Sequence, residues 1–590
     1  MAAVRYRLSF PEPHTHLLHV DIEVEGVRGP ASLAMPSWTP GSYLMREFPR
    51  NVQRFEAADG AGAPLSWTKT DKNRWLVDPP ADGTLRVRYQ VYANELTVRT
   101  SHLDATHASI NGASVFLFPE DRAGDALDLE VEAPEGWRIT TALRGADGRF
   151  SAVHYDELVD SPLEIGTHQL LEWEMEGKTH RYAVWGRGNV DGERLVADTA
   201  RIVLAEKALF GELPYRDYTF IVHLTPGGSG GLEHRGSTVL LADRWSFRGQ
   251  PYERFLALVA HEFFHLWNGK RIRPAVLGPF DYTAENYTRD LWVVEGITSY
   301  YTELLLRRAG LITMHRYLER LAEAIARFRS LPGRSVQSLA DASWDSWIKF
   351  YRPDANTPNS SISYYEKGAL VALLLDLRIR TGTDSARSLD DVMRRLWTEF
   401  GARDTGFPEG EVERIAAEVA GTELRPFFDL ALRGTDELPF DEILSAAGLT
   451  LRPAHETAPF PAADPRTEVH TGLQFKPEGG RNLVSHVLAG TPAHRAGLNA
   501  GDELVALDGV RIAPETLPVR LAERHAGERV PVTVFRRDEL VTLELEVERA
   551  APTRLLLRPA ERPTPAQQRL LDDWLRVDVP AAPHVAVRAS

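Results

Sequence analysis

The sequence predicts a multidomain α+β protein, and three observations carry that prediction. At 590 residues the chain is longer than one hydrophobic core organises. Its apolar period changes along its length, from two in the first 170 residues to helical spacing in the middle. After a Pro- and Ala-rich stretch, Pro453 to Pro465, strand-like patterning returns. The expected order is an N-terminal β-sandwich-like domain over 1–170, a mixed sheet-and-helix domain over 171–310 and an α-helical domain over 311–455. A compact β-rich unit over 466–550 and a tail over 551–590 complete it.

In the first domain Val4, Tyr6, Leu8 and Phe10 alternate with Arg5, Arg7 and Ser9, and Val20, Ile22 and Val24 alternate with acids. Leu85 to Val91 and Leu127 to Val131 repeat the pattern, which describes antiparallel sheets with one wet face. The nearby His14, His16 and His19 read as a polar strand end rather than a metal site. From residue 171, a strand candidate at Tyr218 to Thr225 runs into glycines, then Val239 to Ala242, an apolar helix and a second helix from Leu291 to Arg308. Tyr317 to Phe328, Ala369 to Ile379, Leu389 to Phe400 and Glu411 to Ala420 are helical, with Ser388 before Asp390 and Asp391 as a helix start. A short amphipathic segment, Gln567 to Leu575, stands in the tail.

Composition narrows the function classes. The chain is 43% hydrophobic and 26% charged, as ordinary folded proteins are. A net charge of −15 with no long basic run argues against nucleic acid or an anionic membrane as partner. Apolar runs such as Ala369 to Leu375 fall far short of the ~20 residues a bilayer span needs. MAAVRYRLSF shows no charged-then-apolar leader, so a cytoplasmic location is expected. Nothing in the sequence bears on oligomeric state. With no cysteine, disulfides and thiolate ligands are excluded, and any zinc must be held by histidine and carboxylate.

Such a site is present in RFLALVAHEFFHLWN. His261 and His265 stand four apart in an apolar run, so a helix aims both imidazoles the same way. Glu262 lies beside the first ligand, placed to act on water rather than bind the metal. Three ionisable groups among Phe, Leu, Val and Trp need a partner, and a cation supplies it. Two histidines leave a catalytic zinc one protein ligand short. Of Asp281, Glu285, Asp290, Glu295 and Glu303, only Glu295 stands among Trp292, Val293, Val294 and Ile297, so it is the expected third ligand. Asp290 is the expected acceptor for a ligand histidine's other ring proton. Gly227-Gly228-Ser229-Gly230-Gly231 also fits the serine-hydrolase elbow G-x-S-x-G. That elbow requires a helix next, whereas LEHRGSTVLLAD is Gly-interrupted and strand-like, so Ser229 is not read as a nucleophile.

The sheet, metal-bearing helix and second helix follow the order of thermolysin-like catalytic domains. HEFFHLWN followed by DLWVVEGITSYY resembles the gluzincin metallopeptidases. MPSWTPGSYLMREF at 35–48, GGLEH at 230–234, HEFFHLWNGKRIRP at 261–274 and SYYEKGALV at 363–371 together resemble the glycyl-aminopeptidase family. AGLNAGDELVALDG, within 466–550, resembles a PDZ domain of the bacterial protease type. The resemblance implies a zinc aminopeptidase with one Zn2+ per chain that releases small N-terminal residues, Gly or Ala, from peptides with a free N-terminus. It also implies that Glu233, with Gly230 and Gly231, meets the substrate's amino end, although Leu232 and His234 replace the Met and Asn of the wider group's G-x-M-E-N. Tyr365, before Glu366-Lys367-Gly368, is implied as the oxyanion donor, with its neighbour Tyr364 as the alternative. A zinc endopeptidase remains an alternative. So does a scaffolding protein binding peptide C-termini at Gly472-Leu473-Gln474-Phe475 of the PDZ-like unit.

Overall fold

The computed structural model describes residues 3–454, 469–549, 554–579 and 585–589. Most of the expected linker, 455–465, lies outside the described residues.

Val4–Ser9 pairs with Leu17–Glu25 and Leu127–Glu132 inside a seven-stranded sheet. Val4, Tyr6 and Leu8 face the core opposite Val24, Ile22 and Val20, while the arginines between them face out. A one-residue slip would turn every one of these apolar side chains to water, which fixes the register. A four-stranded sheet in the order Arg138–Thr141, Leu163–Gly166, His107–Ile110, His102–Leu103 lies nearer the rest of the molecule. His16 is bonded to the carbonyl of Leu103 and His19 to Gln90, so these histidines serve local structure.

A six-stranded sheet runs Ser229–Glu233, Ser237–Asp243, Asp217–Thr225, Lys178–Trp185, Gln169–Met175, Arg588–Ala589. Asp217–Thr225 lies parallel to both neighbours and is buried on both faces, hence its unbroken apolar run. Tyr218, Phe220, Val222 and Leu224 enter the main core with the helices Gly192–Phe210 and Gly249–Phe264. Ile221, on the opposite face, packs with Val98, Ala183, Leu232 and Val239. Ser229–Glu233 is the outer strand, consistent with rejection of the serine elbow.

Helix Tyr364–Gly382 is buried nearly all round and crosses the widened helical turn Trp292–Ile297. Glycines permit that crossing. A Cβ on Gly296 would lie 2.6 Å from the Gly368 Cα, and one on Gly368 would lie 2.8 Å from the Gly296 Cα. The final segments pack back onto this body. Leu449–Pro453 pairs with Leu555–Pro559, and the capped helix Pro565–Trp574 buries Trp574, whose indole donates to the Tyr300 hydroxyl at 2.9 Å. The PDZ unit has its own core of Val484, Leu504, Val532 and Leu545, and Asn359 of the helical region bonds the Val487 carbonyl and the Ala489 amide. No helix among the described residues is long and apolar enough to cross a membrane.

Candidate metal centre and active site

Helix Gly249–Phe264 exists because Tyr252, Phe255, Leu256, Val259, Ala260, Phe263 and Phe264 recur at helical spacing and are buried. His261 sits in its last turn and His265 caps its C-terminus, where the helix dipole favours a cation. Glu295 reaches the same point from the widened turn Trp292–Ile297. Its Oε2 lies 3.3 Å from Nε2 of His261 and 3.2 Å from Nε2 of His265, and the two Nε2 atoms are 3.1 Å apart.

The protons of both imidazoles are accounted for on the far side. The Thr302 hydroxyl donates to the Thr298 carbonyl at 2.8 Å, so it accepts from Nδ1 of His261 at 3.1 Å. Nδ1 of His265 donates to the Asn268 carbonyl at 2.8 Å. Each Nε2 is left with a lone pair, and these face each other and a carboxylate oxygen that is buried without a hydrogen-bond partner. Three acceptors cannot satisfy one another; a cation among them can. Zinc bonds of ~2.0 Å give tetrahedron edges of ~3.3 Å, which the three separations match. The residues fit the ion.

Local charges point the same way. Burial opposes the charge on Glu295, but His265 and His261 hold its carboxyl down at about 2. Burial also opposes protonation of His265, yet Glu295 and Glu233 raise its proton affinity, so the Nε2 lone pair faces a point that draws positive charge, either a proton or a metal ion. Burial pushes Glu262 up to about 8, with His265 opposing and Glu233 and Glu295 adding to the shift. The cluster holds more negative charge than its imidazoles neutralise comfortably, a demand that a divalent ion meets.

Around these three side chains stand the other expected residues. Donor atoms of Glu233, Glu262 and His265 lie within 4.8 Å of one another, and both glutamates are buried. A Cβ on Gly231 would sit 2.2 Å from the Glu262 carboxylate and displace it, whereas Gly230, at φ 134°, faces open space. Glu233 is gripped from the N-terminal domain by Gly41, at φ 84°, where a Cβ would lie 2.5 Å from its carboxylate. His234 anchors the end of this strand, its Nδ1 3.1 Å from Asp160, which also takes Lys270 at 2.6 Å. Half-buried Tyr365 stacks on His261 with ring centres 6.1 Å apart, and burial, with Glu295 adding, keeps its hydroxyl protonated.

Asp290 does not bond the far nitrogen of His261 or His265. Thr302 and the Asn268 carbonyl do so, while the Asp290 carbonyl accepts from Val293 and starts the widened turn. Sequence reasoning missed Asn268, though it ends the HEFFHLWN motif. Its side-chain amide donates to the carbonyls of Val293 and Val294 and meets the Thr298 hydroxyl at 3.0 Å, tying the histidine helix to the turn that carries Glu295. Also missed were Tyr351 and Arg99, whose guanidinium lies 5.8 Å from the Tyr351 ring centre and lowers the Glu262 pKa.

Fold and site together define a metallopeptidase. Family models match over residues 5–167 (Peptidase M61 N-terminal domain), 254–371 (M61 glycyl aminopeptidase) and 470–547 (PDZ domain). An aminopeptidase N family protein from Idiomarina loihiensis is 33% identical with a TM-score of 0.91, over 97% of this chain and 100% of that one. The chain belongs to the M61 glycyl aminopeptidase family of zinc metallopeptidases and carries a PDZ domain. The M1 zinc metallopeptidase from Deinococcus radiodurans is more distant, at 17% identity and a TM-score of 0.46 over 74% of this chain and 94% of that one, and adds nothing to the assignment. A search of curated proteins found no match.

Proposed function

We propose that the chain releases small N-terminal residues, glycine and alanine, from peptides, using one zinc ion per chain held by His261, His265 and Glu295. The observation that carries this reading is the triangle of donor atoms 3.1 to 3.3 Å apart beside buried Glu262 and Glu233. When bound, zinc supplies a Lewis acid that polarises a peptide carbonyl and brings the pKa of water to about 7.

Glu262 accepts a proton from the attacking water and passes it to the leaving amine nitrogen. The Tyr365 hydroxyl donates to the oxyanion that develops on the former carbonyl, a contact typically worth about 10²–10³ in rate. Glu233 accepts hydrogen bonds from the substrate's α-ammonium, which sets the cut one residue from the N-terminus. Ser229–Glu233 offers a free outer edge, and Gly230 and Gly231 carry no side chain that would hold a peptide strand away from it. The preference for glycine is supported by the family description alone, and alanine is included as the next smallest side chain.

Glu262→Gln is expected to keep its zinc and lose about 10²–10⁴ of its activity on glycyl and alanyl anilides; full activity would remove the mechanism. Free and N-acetylated peptides test Glu233, because equal cleavage of both would make the enzyme an endopeptidase. At the PDZ domain, Leu473–Glu478 is an outer strand beginning beside Gly472. That edge supports binding of peptide C-termini by strand addition, as a second activity of the chain.

A further inference from the structure

Away from the active site, His107, Glu164 and His223 are each completely buried, and one donor atom from each lies within 4.8 Å of the other two. They come from three strands and two sheets. His107 and Glu164 belong to neighbouring strands of the N-terminal domain, in which His107 pairs with Gly166 and Ser109 with Glu164. The two side chains are therefore diagonal neighbours on one face. Gly166 makes room for this, as a Cβ there would lie 2.5 Å from the His107 Cβ. His223 comes from Asp217–Thr225 of the catalytic sheet, on the face that carries Ile221 rather than the face packed on the helices. The cluster thus lies where the N-terminal sheet meets the catalytic sheet.

Hydrogen bonding does not account for it. Nε2 of His223 and Oε2 of Glu164 are 2.8 Å apart, a hydrogen bond that accounts for those two atoms. His107 is left over. Its ring is stacked on Trp185 with centres 3.6 Å apart, and neither of its nitrogens makes a hydrogen bond. Oε1 of Glu164 and Nδ1 of His223 are also buried without hydrogen bonds, with Nδ1 of His168 standing 4.0 Å from that Oε1. Buried polar atoms are nearly always satisfied, so four orphans in one cluster call for a ligand. Asp104 Oδ1 lies 3.6 Å from Nδ1 of His107, the position of a carboxylate that orients a ligand imidazole.

We propose that His107, Glu164 and His223 form a second, structural zinc site that fastens the N-terminal domain to the catalytic sheet. Two imidazoles and a carboxylate are the donors that zinc takes in a thiol-free protein. The site is independent of the catalytic centre and of the activity proposed for it.

Metal analysis of the full chain, purified with zinc and dialysed against buffer without it, tests the proposal. The wild type is expected to hold two zinc ions. A His261→Ala/Glu295→Ala double variant, shown to be folded by circular dichroism, is expected to hold one. Adding Glu164→Gln, which preserves shape, or His107→Ala is expected to remove that ion. A folded double variant that holds no zinc, or that keeps its zinc after Glu164→Gln, would overturn the proposal; a buried water in place of the ion gives the first of these results. If instead the wild type and the double variant both hold one ion, this site stands and the catalytic assignment fails.

Discussion

Gly368→Ala tests the step that links the two halves of the active site. The new methyl would lie 2.8 Å from the Gly296 Cα and 3.3 Å from the Trp292 carbonyl. Carbon atoms prefer about 3.5–4.0 Å, so the two helices must separate by roughly 1 Å. Overpacking of this kind costs about 1–3 kcal/mol, and the helix preference of alanine over glycine returns about 1 kcal/mol. Stability should thus fall by no more than about 2 kcal/mol. Activity should fall much further, because the displacement separates Tyr365, on one helix, from Glu295, on the other. A misplacement of about 1 Å costs roughly 10²-fold in rate. Steady-state hydrolysis of glycyl anilide and denaturant unfolding would measure the two effects. Gly382→Ala is the control, since it lies at the end of the same helix with nothing within 4 Å of its added methyl. If Gly368→Ala behaves like that control, more stable and fully active, the glycine crossing does not set the geometry.

Asn268→Ala removes the amide that holds the Val293 and Val294 carbonyls, and it should weaken zinc binding about 10–100-fold in a competition titration, as loss of a ligand's supporting partner does. Asp160 gives a pH prediction. Burial opposes its charge, but Lys270 and His234 hold its pKa well below the usual carboxylate value. Its stabilisation is therefore complete above the unfolded value of about 3.9 and is lost as pH falls toward the lower folded one. Denaturant midpoints should drop for the wild type below about pH 4. Asp160→Asn should be destabilised by about 3–5 kcal/mol at neutral pH and show a shallower acid drop.

What the sequence made legible was what is local or chemically conspicuous. His261 and His265 are one helical turn apart, so their convergence follows from spacing, and Glu295 stands out as an acid in an apolar segment. Glu233 and Tyr365 were reachable only through motif resemblance, because their approach depends on a strand edge and a helix crossing. The Asp290 expectation failed for a related reason. Spacing puts Asp290 near Glu295 along the chain, but the histidine protons point to Thr302 and to the histidine helix's own end. The Trp574 to Tyr300 bond joins residues 274 apart, so no local pattern announced that the amphipathic segment would dock. His107, Glu164 and His223 likewise look unremarkable on three separate strands and become a constellation only when two sheets meet.

The pairing of Leu449–Pro453 with Leu555–Pro559 gives the PDZ unit a two-rail stem. The chain leaves the peptidase body at Pro453 and returns at Leu555, its register partner, about 5 Å away. A module mounted this way behaves as a cassette. It can be excised or exchanged by splicing a tight turn across the rails, with the docking helix Pro565–Trp574 and the final strand still reached downstream. The same stem would let one catalytic body carry a different C-terminal module without any change in its own core.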